Sequence, residues 1–210
     1  MKSRRAVPFA RGEDQIRQRI VQEAARLMAE DGVRDFALAK RKAAQRLNHS
    51  DNRHLPSNRE IEEALADYLK LFHAKTLQRD LRAQLGVAAD ALRLLADFEP
   101  RLTGALLNGL ATSWAEIPLQ AFADQPERVA LFLREHGIPF EESGRRLRFG
   151  GDRQEQAAVY RFIAGDTPVE ITVLPMLALR EAPLSPVDGQ PMKRASLRDV
   201  EQQLADLAAR

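Results

Sequence analysis

Residues 103–124 read TGALLNGLATSWAEIPLQAFAD: two glycines five residues apart, a polar turn, then an alternating run broken by a proline. Glycines placed like Gly104 and Gly109 hold a loop open around a ligand, because they lack the side chain that would keep the backbone away from it. The acids and hydroxyls that would act on such a ligand are few. Glu116 opens the alternating run, and Glu170 lies in a later one, VEITVL. Each residue also has a plainer reading. The glycines can shape a turn and nothing more, and Glu116 can be a solvent-facing strand residue. Glu170 can be the polar side of its strand, and Trp114, the single tryptophan, can stack on a base or pack within its own domain.

These residues must be positioned by a fold that changes character along the chain. Ile16, Ile20, Val21, Ala24, Leu27 and Met28 recur at helical spacing, with Asp14 as the expected N-cap and Gly32 as the stop. A second helix is expected through DFALAKRKAAQRLNH, then a polar loop, HSDNRHLPSN. Ser57 and Glu60 form a capping-box signature ahead of Ile61, Leu65, Tyr68, Leu69 and Phe72. The helical pattern resumes through TLQRDLRAQLGVAADALRLLADF, with a break expected near Gly86. At Pro100 the periodicity switches. Residues 101–107 are β-like, and Ile117, Leu119 and Ala121 alternate as in a half-buried strand. Pro118 suits an edge or a bulge, because it lacks a ladder amide. Asp124 and Pro126 open a helix ending at Gly137. Strand candidates follow at IPFEE, RRLRF, VYRFI and VEITVL, separated by glycine-containing turns, and residues 196–208 close the chain as an amphipathic helix. The expected class is α+β, an all-helical region followed by a small mixed sheet.

Composition narrows the chemistry. The 210 residues are 44% hydrophobic and 30% charged, enough to bury a core. Cysteine is absent, which removes disulfides, iron–sulfur clusters, thiol catalysis and cysteine-ligated zinc. None of the four histidines stands at a metal-site spacing. No apolar run approaches membrane-spanning length, and the basic N-terminus has no signal-peptide core, so a cytoplasmic protein without a membrane partner is expected. The net charge of +2 is uneven: thirteen bases precede or include Arg53, against seven acids. A basic first segment is what phosphate contacts want, and a solvated arginine-rich face is the equal alternative. Lys40, Arg41, Lys42 and Arg46 are the nucleic-acid contact candidates.

The stretch at 103–124 resembles the signature of the nucleotidyltransferase superfamily, the DNA polymerase beta-like fold in its minimal form. Gly104 and Gly109 match its two glycines, residues 111–114 its turn, and Glu116 to Leu119 its acidic strand. VEITVLP resembles the later strand that brings a third acid, with Glu170 as the candidate. The resemblance covers residues 100–175. It implies a helical domain over 1–98 and a nucleotidyltransferase-like domain over 99–210. It further implies a nucleotide cradled by Gly104, Ala105, Asn108, Gly109 and Ser113, with Glu116 and Glu170 as catalytic and metal-ligating acids. The chain departs from the pattern where the chemistry is densest. Ala105 stands for a serine, Glu116 for the first aspartate and Pro118 for the second, so a degenerate member is expected, non-catalytic or regulatory, with no cofactor. An active enzyme would use magnesium, gripped by carboxylates sharing a strand face.

The first two helices are similar to those of TetR-type regulators up to NHSDNRHLPSN, where a recognition helix should begin, giving a second alternative of DNA binding. The string AKRKAAQRL…LPSNREIEEALADYLKLF resembles an uncharacterised proteobacterial family with a helical region ahead of a nucleotidyltransferase-like domain. Nucleotide, RNA, DNA or protein are the partners these readings imply, and the apolar helical faces permit a homo-oligomer.

Overall fold

The computed structural model describes residues 8–49, 55–112 and 116–209. Its contacts divide the chain into two compact units, Met1–Ala74 and Lys75–Arg210.

The first unit is helical: α1 (Pro8–Glu30), α2 (Phe36–Arg46) and α3 (Asn58–Phe72), with α1 packed on both of the others. Ile20, Ala24, Leu27, Ala39, Ala43 and Ile61 form its buried seam, the product of apolar residues recurring every three to four positions. Helix α1 starts at Pro8, so Asp14 lies inside the helix and is not its cap. Gly32 ends the helix region at φ +67°, as its type suggests. Asp35 caps α2 by accepting the Leu38 amide at 2.6 Å. The Ser57–Glu60 box caps α3, the Glu60 amide donating to Ser57 Oγ at 3.2 Å and the Ser57 amide to Glu60 Oε2 at 2.7 Å.

Glu60 also accepts from Arg17, at 3.0 and 2.7 Å. Arg17, helped by Ser57, holds the Glu60 carboxyl down at about 2, against an ordinary 4.5. A carboxyl depressed on folding stabilises above its ordinary value and loses that contribution as pH falls through the folded one. The denaturation midpoint of the wild type is therefore expected to fall towards that of Glu60→Gln between about pH 4.5 and 2, a convergence that an acid titration by circular dichroism reads. Parallel acid limbs for the two proteins would show that the pair contributes nothing.

The second unit is built on a five-stranded sheet of order β1-β2-β5-β4-β3: β1 (Arg101–Leu102), β2 (Ile117–Phe122), β3 (Glu141–Arg148), β4 (Gln154–Ala164) and β5 (Thr167–Leu174). Only the β2–β5 pair is parallel. Helices α4 (Ala74–Leu94), α5 (Glu127–Glu135) and α6 (Leu197–Ala208) supply Leu85, Leu92, Val129, Leu133 and Val200 to a core shared with Ile117, Leu119, Tyr160, Ile171 and Val173. The α+β class expected from the switch in periodicity is what the structure has.

Several local expectations change. Helix α4 runs unbroken through Gly86, and its apolar stripe packs on the sheet, so the expected division at 98/99 falls inside the second unit. The switch at Pro100 marks a change of element within one core. Only residues 101–102 of the expected 101–107 strand pair, and Ala105–Asn108 form a 3-10 turn. IPFEE and RRLRF are not two strands divided by a turn. Gly144 lies within β3, opposite Ala158, where a Cβ would come within 2.5 Å of Gln156 Nε2. Asp124 does not cap α5. Its carboxylate accepts the Met176 amide at 3.0 Å, and α5 follows Pro126 without a side-chain cap.

Pro118 sits neither at an edge nor in a bulge, since β2 lies between β1 and β5. The Thr103 amide donates to the Pro118 carbonyl at 3.0 Å. A residue's N–H and C=O leave an extended strand on the same side, so the missing amide faces β1, where pairing ends, and the ladder to β5 loses nothing.

Candidate functional site

One face of the sheet packs on the helices; the other carries a small apolar cluster that includes Phe122, Leu147, Ala157 and Leu174 at one end and a row of polar residues at the other. Register fixes which side chains share it. Pro118 on β2 stands beside Glu170 on β5, Glu170 beside Arg161 on β4, and Arg161 beside Glu141 on β3. The next row holds Gln120, Thr172, Val159 and Ser143. Two residues before Pro118, Glu116 reaches the same face.

Glu170 is the centre of this row, with only 3% of its side chain exposed. Arg145 grips it in fork geometry, Nη1 to Oε1 at 2.6 Å and Nη2 to Oε2 at 2.7 Å. Arg161 Nη2 donates to the same Oε2 at 2.5 Å. The second arginine continues outward: its Nη1 donates to Ser143 Oγ at 3.0 Å, and its Nε lies 3.4 Å from Glu116 Oε1. Glu116 and Glu170 thus converge on one guanidinium. Burying a carboxylate is costly unless it is paired and hydrogen-bonded, and this one is both, twice over.

Gly104 comes to the same place. It adopts φ +81°, ψ −165°, and a Cβ there would lie 2.8 Å from Pro118 Cγ. The turn after it is closed on itself: the amides of Leu107, Gly109 and Leu110 donate to the carbonyls of Gly104, Leu106 and Ala105. Three amides that could have faced an anion are used inside the turn. Ala105 begins this turn, and Asn108 ends it, exposed to solvent. Ser113 and Trp114 lie outside the described residues.

A second arginine system borders the row. Arg194 Nε donates to Gln120 Oε1 at 2.6 Å and its Nη1 to the Ala178 carbonyl at 2.7 Å, with the guanidinium 5.1 Å from the Phe122 ring centre. Burial, with Arg101 adding its charge, pushes its pKa down from the ordinary arginine value. It fastens the segment before α6 to the sheet, and a backbone pair between Leu102 and Ala195 does the same.

The donor set does not fit the paired magnesium ions that the resemblance implies. Pro118 offers no carboxylate opposite Glu170, both Glu170 oxygens are engaged by arginines, and a cation between Glu116 and Glu170 would meet the Arg161 guanidinium. Among the described residues, no three histidines, aspartates or glutamates are grouped to hold a metal ion. The resemblance named Glu116 and Glu170 as acids of one site without fixing which way they point, and the sequence reading missed Arg145 and Arg161, the residues that pair with them.

In the helical unit the four nucleic-acid candidates are not equivalent. Arg46 pairs with Glu23 at 3.0 Å and Asp31 at 2.9 Å, and Glu23 is shared with Arg26. Lys40 is half-buried, and burial lowers its pKa. Arg41 and Lys42 are exposed. Two of the four cations are thus drawn into the unit's own structure. Among the described residues, no helix is long and apolar enough to cross a membrane. Compared with known proteins, the chain matches no family model and no curated sequence.

Proposed function

We propose that the second unit is a nucleotidyltransferase-like scaffold whose metal-binding position has been taken over by an internal arginine–glutamate cluster. In this reading the chain acts as a binding or regulatory protein, with the helical unit available for contact with RNA, DNA or protein. The observation that carries it is the state of Glu170: it stands beside Pro118, where a second carboxylate would be needed, and both its oxygens are held by Arg145 and Arg161. A group already neutralised by two guanidinium ions has little left to offer a divalent cation.

The test is a turnover assay with each of the four nucleoside triphosphates, magnesium or manganese, and protein, RNA and small-molecule acceptors. No metal-dependent consumption is expected, and any nucleotide binding seen by calorimetry should be insensitive to the metal. A metal-dependent rate abolished by Glu116→Ala would overturn the reading.

One observation favours that second reading, an active enzyme with an atypical acidic site. Glu116 and Glu170 do meet on one sheet face beside Gly104, at Arg161. There the arginines would have to release the acids on metal binding, so Arg161→Ala would raise the rate. In the scaffold reading the same change leaves turnover absent and only weakens the fold.

A further inference from the structure

The sheet has two edges, and they are treated differently. On one side β1 is two residues long, and its outer side is covered: Leu102 and Ala195 exchange backbone hydrogen bonds of 2.8 and 2.9 Å. On the other, β3 runs for eight residues with every side chain but Leu147 exposed; the Leu184 amide donates to the Arg148 carbonyl at 2.6 Å and covers the strand's last residue, and along residues 141–147 no other strand of the sheet lies beyond it among the described residues. An open edge of this length presents a row of backbone donors and acceptors ready to pair with another strand.

Charge along β3 is segregated. Glu141 and Glu142 come first, and Arg145, Arg146 and Arg148 follow Ser143 and Gly144. Side chains opposite one another across an antiparallel pair interact, favourably for unlike charges and unfavourably for like ones. A second β3 added in parallel sets acids near acids and bases near bases. Added antiparallel, it sets acids against bases. The strand is therefore complementary to its own reverse.

We propose that β3 is the surface through which two copies of this chain associate, edge to edge and antiparallel, about a two-fold axis at Gly144. In a two-fold pair within one continuous sheet, opposed residues must share a face, so the axis passes through a residue and not between two. Centred on Arg145, the pairing sets two arginines against each other. Centred on Ser143, it asks Glu141 to use Arg145, whose guanidinium already forks Glu170. Centred on Gly144, it sets Glu142 opposite Arg146 twice by symmetry, both exposed in the single chain. The interface is one strand wide and so belongs to the weak, reversible class.

Symmetry gives the test. Sedimentation analysis across a concentration series is expected to show the full-length wild type doubling in mass. Glu142→Arg sets arginine against arginine, and Arg146→Glu sets glutamate against glutamate. Each variant alone is expected to associate roughly tenfold or more weakly. An equimolar mixture of the two restores two unlike pairs per interface and is expected to recover the wild-type association, as is the double exchange E142R/R146E within one chain. Both positions are exposed, and circular dichroism confirms that each variant folds. A wild type that stays monomeric throughout, single variants that associate as it does, or a mixture that fails to recover would each overturn the proposal.

Discussion

Replacing Glu170 by alanine is expected to lower stability by about 2–4 kcal/mol, a fall of roughly 5–12 °C in the thermal midpoint for a chain of this length. The reasoning is electrostatic. Glu170 is almost wholly buried, while Arg145 and Arg161 are 43% and 38% exposed. Removing the acid leaves two guanidinium ions facing a site that held a negative charge. Full burial of both arginines would put the cost at the upper end known for broken buried pairs; their partial contact with water lowers it. Arg145→Ala should cost less, because Glu170 keeps its bond from Arg161 and water can replace the lost fork. The Glu170→Ala/Arg145→Ala double variant is expected to be less destabilised than the sum of the singles, the mark of direct coupling.

This result bears on function as well as on stability. An acid kept to hold a metal is commonly a strained, repulsive feature of the metal-free protein, and its removal leaves the midpoint unchanged or raises it. Differential scanning calorimetry of Glu170→Ala without added metal therefore tests the arginine pairing as a structural element, and adding magnesium separates the two readings, because only an active acidic site would let the metal stabilise the wild type over the variant. A rise would count against the cluster as a structural element and favour an acidic site kept for a ligand.

Part of this arrangement is legible in the sequence. VYRFI and VEITVL each carry one charge among apolar residues, of opposite sign, and Gly165-Asp166 between them is a two-residue hairpin connection. Closing that turn with Ala164 opposite Thr167 sets Arg161 opposite Glu170 three residues further on. Periodicity shows which residues are apolar, and the turn is what fixes register. Arg145 is harder to see. Its place depends on β3 continuing through Gly144, and a glycine between short β-like runs reads as a turn unless the neighbouring strand is known.

The unit boundary was hidden for a related reason. Helix α4 looks like more of the same helical region, and its membership of the sheet's core is a property of what covers its stripe of Leu85, Ala88, Ala89 and Leu92. A one-dimensional pattern identifies an apolar face without naming its partner. Asp124 shows the same limit on a smaller scale. Its type suits a helix cap, yet the Met176 amide, 52 residues away, takes the carboxylate.

Gly104→Ala is expected to cost about 2–4 kcal/mol, and two separate terms produce it. At φ +81° and ψ −165° the backbone occupies a region that is essentially glycine's alone, and holding alanine there costs on the order of 1–3 kcal/mol. The added Cβ would also press to 2.8 Å from Pro118 Cγ, a ring carbon fixed by a proline that cannot rotate away. Chemical denaturation can separate the terms. Pro118→Ala in the Gly104→Ala background removes the clash and should restore about 1 kcal/mol, while the backbone term remains. Both effects arise without any bound ligand, since the turn's own amides close on its own carbonyls and Thr103 ties it to Pro118. A glycine kept only to admit a ligand would sit at an ordinary angle with open space before it, and its alanine variant would leave the midpoint within about 0.5 kcal/mol of wild type. That outcome would break the link between the Gly104 turn and the proline beside Glu170.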